Sequence, residues 1–148
     1  MPPRRDEILF ADRHFTVSPC RDCALPGYVV VTSRAEADSL AALPPAALAV
    51  LGPLLARTER AVSRVMGAER VYCASFGESG HGLHFHVFPR TAALVRIAPR
   101  EAGAPEGGVN GPVLLDWARR RFRRAPSDPW PAACAERFAA LRSALRDG

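Results

Sequence analysis

Apolar and polar side chains alternate along Leu83 to Pro89, which predicts a β-strand with one buried face and one polar face. The preceding segment, Glu69 to Phe76, also has strand character, and the Gly-rich sequence 77–82 separates the two. Strands joined by a short turn pair in antiparallel orientation. The chain is therefore expected to contain an antiparallel sheet that includes this hairpin.

Further patterns predict additional strands and two closing helices. The strands are expected at Ile8–Asp12, His14–Val17 and Tyr28–Thr32. The closing helices are expected at Pro112–Arg123 and Pro131–Arg146. With a long helix between the strands, this order of elements indicates an α+β domain.

The long helix is predicted from Pro44-Pro45 to Gly67, because Pro suits the first helical turn and Gly the C-cap. Pro53 is expected either to kink this helix or to mark its true start. The predicted apolar face comprises Leu48, Leu51, Leu55, Val62 and Val65.

The chain has 148 residues, 48% of them apolar, which suits one domain with a hydrophobic core. We expect a domain over residues 1–96, a flexible linker over 97–110 and a helical extension over 111–148 packed on the same domain. No apolar run reaches the ~20 residues that a membrane-spanning helix needs. The basic start lacks the apolar stretch of a secretion signal, so a cytoplasmic protein without a membrane partner is expected.

The net charge is +5, and all 20 basic residues are Arg. A basic surface suits an anionic ligand such as a nucleotide phosphate. The run Arg119 to Arg124 is predicted to be a solvated helix end, where cations complement the helix dipole. We prefer this interpretation to nucleic-acid binding.

Three of the four histidines lie within the six residues from His81 to His86. In a strand, His84 and His86 lie on the same face, about 6.6 Å apart. The Gly-rich turn before them exposes backbone N–H groups that can hold phosphate oxygens. One imidazole can attack phosphorus and the other can donate a proton to the leaving oxygen. The alternative is two structural histidines on an ordinary strand.

The sequence His84-Phe-His86-Val-Phe-Pro-Arg90 resembles the end of the histidine triad motif, His-φ-His-φ-His-φ-φ, where φ is apolar. The order of other segments is similar to that family too, over about Ile8 to Arg90. These segments are Phe10-Ala-Asp-Arg-His-Phe-Thr-Val, Pro26-Gly-Tyr-Val-Val-Val, Ser39-Leu-Ala-Ala-Leu-Pro-Pro and Val71-Tyr-Cys-Ala-Ser-Phe-Gly-Glu.

The resemblance implies a twisted antiparallel sheet with one long helix packed on it, in a homodimer that binds a nucleotide-type small molecule. It implies that His84 attacks the α-phosphorus and that His86 contacts the phosphate and the leaving group. Ser79 matches a phosphate-binding Ser/Thr, and Glu78 stands where many members have Gln. The implied reaction is hydrolysis or transfer of a nucleoside monophosphate from a phosphoramidate, an anhydride or a dinucleoside polyphosphate, with no cofactor required.

Some positions depart from the family pattern. Gly82 replaces the first motif histidine, and Ala35 replaces a histidine that members carry after the third strand. Cys20 falls near the usual ribose-binding acid, which Asp22 is expected to replace. A non-catalytic nucleotide-binding or regulatory module is therefore the alternative function.

The sequence Cys20-Arg-Asp-Cys23 has the spacing of a zinc-ligand pair. His81 is the candidate third ligand and His14 a weaker one, and the uridylyltransferase branch of the superfamily uses a similar Cys pair. The alternatives are free thiols and an exposed His81 that lines the phosphate site or replaces the missing histidine. Zinc is thus an optional cofactor, not a required one.

Overall fold

The computed structural model describes residues 3–78, 80–104 and 108–148. Its main element is a five-stranded sheet in the order β1-β2-β3-β5-β4, in which each pairing is antiparallel. The strands are β1 (Phe10–Ala11), β2 (Phe15–Pro19), β3 (Val29–Ser33), β4 (Arg70–Ala74) and β5 (His84–Arg90). The predicted antiparallel sheet and α+β class are confirmed.

Strand β5 lies between β3 and β4, so both of its edges are hydrogen-bonded. His84 is opposite Thr32, and His86 is opposite Val30 on one side and Ala74 on the other. Because both neighbouring strands fix its register, β5 is a rigid support for the two imidazoles.

Helix α1 (Pro45–Met66) crosses from β3 to β4 and ends at Gly67, which adopts φ +59°. The predicted end is confirmed, and Pro53 lies inside the helix on its exposed side, so it does not mark the start. The buried stripe differs in part from the predicted one, because Leu48 is 43% exposed. The buried positions are Ala47, Leu51, Leu54, Thr58, Ala61 and Val62.

One face of the sheet packs against α1 and the C-terminal helix α4 (Ala132–Asp147). The alternation of β5 sends Leu83 and Val87 into this core, while Phe85 is partly buried against it. The apolar stripe of α4 packs against α1 and completes this core. That stripe comprises Cys134, Phe138, Leu141 and Leu145.

The opposite face of the sheet is partly covered by a second core. Its helices are α2 (Ala92–Ile97) and α3 (Gly111–Arg121), and between them lies a small antiparallel sheet of β6 (Gly103–Ala104) and β7 (Gly108–Val109). Sequence patterns did not predict α2 or the small sheet. The domain division into 1–96, 97–110 and 111–148 stays a prediction.

Single 3-10 turns occur at Arg5–Glu7 and Leu40–Ala42. Among the described residues, no helix is long and apolar enough to cross a membrane.

Candidate functional site

A cleft of about 970 Å³ opens on the sheet face opposite α1, where the second core stops. This volume is in the range of small-molecule sites. Its floor is formed by alternate residues of β2, β3 and β5, namely Thr16, Ser18, Val30, Thr32, His84 and His86. The cleft therefore lies directly over the predicted catalytic pair.

His84 is held by a hydrogen bond of 2.9 Å between its Nδ1 and the carbonyl oxygen of Gly82. A carbonyl can only accept, so we assign the ring proton to Nδ1. Nε2 then carries the lone pair. His84 is half-buried and lines the cleft, so its ring is both oriented and accessible.

Gly82 lies before β5 rather than in it, and its φ is +76°. A Cβ at this position would lie 3.3 Å from the carbonyl oxygen of Ala37. A histidine is therefore unfavourable there, because the positive φ disfavours a residue with a side chain and because its Cβ would be crowded by Ala37. Gly82 and Ala35 line one small cavity of about 490 Å³, so the two departures from the family pattern lie side by side.

His86 is 6% exposed, and its Nδ1 lies 2.8 Å from the hydroxyl oxygen of Tyr28. Tyr28 is fully buried, and burial raises its pKa, so the phenol keeps its proton. A buried hydroxyl needs an acceptor, and a ring nitrogen is a better one than the sulfur of Cys20. We therefore assign the donor role to Tyr28 and place the proton of His86 on Nε2.

His86 is uncharged at neutral pH. Burial lowers its pKa to about 4, and the positive charges of Arg119 and His84 act in the same direction, against the opposing effect of Asp22. A neutral imidazole donates a hydrogen bond more readily than a proton. The polar face predicted for this strand is thus only partly exposed, because His86 is buried against Tyr28 while His84 is half-buried.

Asp22 lies at the rim of the cleft, where Oδ1 accepts a 3.2 Å hydrogen bond from the Cys20 thiol. Its Oδ2 is 3.7 Å from the guanidinium of Arg119. Burial acts to raise the pKa of Asp22. The hydrogen bonds that Asp22 accepts from Cys20 and from its own backbone, together with the charge of Arg119, outweigh that effect, so the pKa of Asp22 is lowered. Asp22 is therefore an anion that lines the cleft.

Two further predicted residues, Glu78 and His81, line the cleft and are exposed. His81 also lines the small cavity beside Gly82, but it is not on β5. Ser79 lies outside the described residues.

The two cysteines of the predicted zinc site are buried thiols, and the third predicted ligand, His81, is exposed. Cys20 and Cys23 are both buried, and burial raises the pKa of each thiol, that of Cys23 to about 12. Within residues 3–78, 80–104 and 108–148, no three His, Cys, Asp or Glu side chains are grouped to hold a metal ion.

Two residues of this site were missed by sequence reasoning. Tyr28 lies just before β3, two positions from Val30 and hence on the same face as His86. Arg119 comes from α3, one turn after the buried Leu115, a spacing that places it beside the buried face. The sequence predicted a solvated run for Arg119 to Arg124. Instead Arg119 lines the cleft, and Arg124 is buried with its guanidinium 3.8 Å from the centre of the Trp130 ring.

No protein-family model matches the chain, and no curated protein matches its sequence. Solved structures of similar fold do exist. A zinc-bound histidine triad family protein from Mycobacterium smegmatis is 19% identical, with 95% of this chain and 84% of that chain covered and a TM-score of 0.58.

Two other solved structures have a similar fold. A histidine triad protein from Sinorhizobium meliloti is 18% identical over 95% of this chain and 87% of its own, with a TM-score of 0.61. A hypothetical histidine triad nucleotide-binding protein from Sulfolobus tokodaii is 12% identical, with 95% of this chain and 84% of that chain covered and a TM-score of 0.62. This chain therefore has the fold of the histidine triad proteins, as the resemblance of its β5 motif implied.

Proposed function

We propose that this protein is a nucleotide phosphohydrolase or nucleotidyltransferase in which His84 attacks the α-phosphorus. The observation that carries the proposal is the hydrogen bond from His84 Nδ1 to the Gly82 carbonyl. It orients the ring and leaves the Nε2 lone pair as the nucleophile, in a cleft of nucleotide size. The Gly82 carbonyl thus supplies an orientation that does not depend on the first motif histidine.

The proposed reaction has two steps. In the first, a bond forms between His84 Nε2 and phosphorus while the bond to the leaving group breaks, and the leaving group takes that electron pair. In the second, the oxygen of water or of an acceptor hydroxyl attacks phosphorus, the bond between phosphorus and His84 Nε2 breaks with its electron pair returning to the nitrogen, and the proton of the attacking hydroxyl passes to solvent. Hydrolysis and transfer differ only in this second acceptor.

His86 assists by donating a hydrogen bond from Nε2–H to a phosphate or leaving-group oxygen. Tyr28 supports this role because it occupies Nδ1 and so directs the ring proton to Nε2. The backbone N–H groups of the Gly-rich turn and the side chain of Ser79 are proposed to hold the phosphate oxygens. Glu78 and Asp22 are proposed to contact the nucleotide at the rim of the cleft.

The test is to incubate the protein with adenosine and guanosine phosphoramidates, anhydrides and dinucleoside polyphosphates, quench it, and look for a nucleotidyl adduct by mass spectrometry. We expect release of nucleoside monophosphate and an acid-labile adduct on His84, both absent from His84→Ala. His14→Ala is the matched control, because His14 does not line the cleft. Turnover that persists in His84→Ala would refute the mechanism.

Nucleotide binding without any turnover would instead favour a non-catalytic binding module. The replacement of the first motif histidine by Gly82 is the observation that favours this second candidate. We further propose a homodimer, which sedimentation equilibrium would test.

A further inference from the structure

Arg119 is the one cleft-lining residue that comes from the C-terminal helical extension. Its side chain is 38% exposed and lies 3.7 Å from Asp22. Its positive charge also reaches His86, since it contributes to the lowered pKa of that ring. Arg119 is therefore a cation beside β5, contributed by a helix that lies outside the sequence segments that carry the resemblance, Ile8 to Arg90.

The other arginines that line the cleft, Arg21 and Arg34, interact directly with protein groups. Arg21 forms an ion pair with the buried Glu7 at 3.3 Å. Arg34 donates a 2.8 Å hydrogen bond to the carbonyl oxygen of Asp12. By contrast, the 3.7 Å contact between Arg119 and Asp22 is too long for a direct hydrogen bond. Among the cleft arginines of the described residues, Arg119 is the best placed to exchange its partner for a ligand anion.

Backbone contacts fix Arg119 in this position. Helix α3 is anchored by Leu114, Leu115 and Ala118, which are buried in the second core. Just after the helix, Phe122 accepts a 2.7 Å hydrogen bond from the backbone of Ala24, and the backbone of Arg124 donates a 3.0 Å bond to the carbonyl oxygen of Asp22. Helix α3, which carries Arg119, and the Asp22 loop are thus held together before any ligand arrives, which reduces the entropy lost on binding.

We propose that Arg119 binds the nucleotide phosphate at the His86 end of the cleft, so that the C-terminal helical extension completes the active site. This inference rests on the proposed function. A guanidinium has several fixed N–H donors that match phosphate oxygens, and its hydrogen bonds to an anion are charge-assisted. Asp22 is 3.7 Å from the guanidinium, and a ligand phosphate oxygen at hydrogen-bond distance replaces that longer contact.

The test compares the affinity of nucleosides with that of their monophosphates, using isothermal titration calorimetry with adenosine, AMP, guanosine and GMP. The readout is the ratio of monophosphate to nucleoside affinity, because a merely structural role of Arg119 would weaken both ligands alike. In Arg119→Ala we expect this ratio to fall about tenfold, the scale of one lost charge-assisted hydrogen bond. Arg119→Lys should restore part of it, since the charge remains but the planar donors do not.

Arg120→Ala is the matched control, because the side chain of Arg120 is exposed and forms an ion pair with Asp116 at 2.7 Å instead of lining the cleft. It should keep the wild-type ratio. A wild-type protein that prefers monophosphates, combined with an unchanged ratio in Arg119→Ala, would overturn this inference and leave the proposed function intact. A wild-type protein that binds neither monophosphate would overturn both.

Discussion

The hydroxyl oxygen of Tyr28 lies 2.8 Å from Nδ1 of His86, and both groups are buried. The contact joins the second core to the His86 end of β5, because Tyr28 packs edge-on against Phe88 at 5.2 Å between ring centres. It thereby fixes both the orientation of the His86 ring and the nitrogen that carries its proton. The rings of His84 and His86 are 5.1 Å apart, so this orientation also sets the geometry of the pair.

Replacement of Tyr28 by Phe should reduce turnover more than it reduces stability. The variant keeps the ring packing but loses the hydroxyl, so unfolding free energy should fall by about 1 kcal/mol. His86 would then be free to place its proton on either nitrogen. We expect kcat to fall about tenfold, which corresponds to ~1.4 kcal/mol of lost alignment, while KM changes little.

Tyr72→Phe is the control for this prediction. Tyr72 stacks on Phe88 at 5.8 Å in the same aromatic cluster, without a contact to His86. Equal losses of kcat in the two variants would show that the Tyr28 hydroxyl has no special role.

The lowered pKa of His86 should make the protein sensitive to acid. The folded state holds His86 neutral to about pH 4, whereas the unfolded chain protonates it near its ordinary value of 6.5. The unfolded state therefore binds more protons between these values, and unfolding free energy should fall as the pH drops from about 6.5 to about 4. Asp22, Arg119, His84 and the Tyr28 hydroxyl are the groups that face this ring.

Urea unfolding at a series of pH values measures this effect. His86→Gln keeps a polar side chain that does not titrate, so its unfolding free energy should depend less steeply on pH in that window. A parallel pH dependence in the two proteins would contradict the assignment.

The local features of the sheet and of α1 could be predicted from sequence because each depends on neighbouring residues. The alternation of Leu83 to Val87 is a property of one strand, and its two histidines do lie side by side. Gly67 ends α1 because only a residue that tolerates positive φ suits that C-cap. Strand alternation and helix capping both depend on residues close together in the chain, so the sequence pattern predicts them directly.

The remaining parts of the site depend on contacts between distant segments. Tyr28 and His86 are 58 positions apart, and their contact requires the pairing of β3 with β5. Arg119 meets Asp22 only because α3 packs on the sheet face that a strand pattern leaves open. In sequence, the spacing of Arg119 from Leu115 places it beside the buried face of α3, but no pattern along the helix shows that this edge of α3 borders the cleft.

Under the proposed mechanism, the protonation state of His86 also predicts which leaving groups are accepted. For His86 to give up its Nε2 proton completely, Nδ1 would have to take the proton of Tyr28, whose pKa is raised by burial. A leaving group that departs as a stable anion, such as a phosphate, needs no such proton, whereas an amine does. We therefore expect kcat/KM for a dinucleoside polyphosphate to exceed that for a nucleoside phosphoramidate by about tenfold or more at pH 7.5, a difference of ~1.4 kcal/mol in barrier.

Steady-state assays with diadenosine tetraphosphate and adenosine phosphoramidate measure this ratio. The phosphoramidate rate should rise toward acid pH, where its nitrogen acquires a proton from solvent. Equal rates for the two substrates at pH 7.5 would mean that His86 does act as a proton donor.

Restoring the first motif histidine by Gly82→His should destabilise the protein rather than improve catalysis. The backbone at Gly82 has φ +76°, which costs a side-chain-bearing residue about 1–2 kcal/mol. A Cβ would also crowd the carbonyl oxygen of Ala37, which is held by a 2.6 Å hydrogen bond from the backbone of Leu83. The hydrogen bond from His84 to the Gly82 carbonyl would be strained by any shift, so kcat should fall as well.

Alanine substitutions separate these two costs. Gly77 has φ +71° with open space around its Cβ position, so Gly77→Ala reports the backbone cost alone, and Gly82→Ala should lower the thermal midpoint further. Gly52→Ala, inside α1 with nothing near the added methyl group, should raise stability by about 0.5–1 kcal/mol. If Gly82→Ala were no worse than Gly77→Ala, the crowding at Ala37 would carry no cost, and strain of the backbone alone would account for glycine at the position of the first motif histidine.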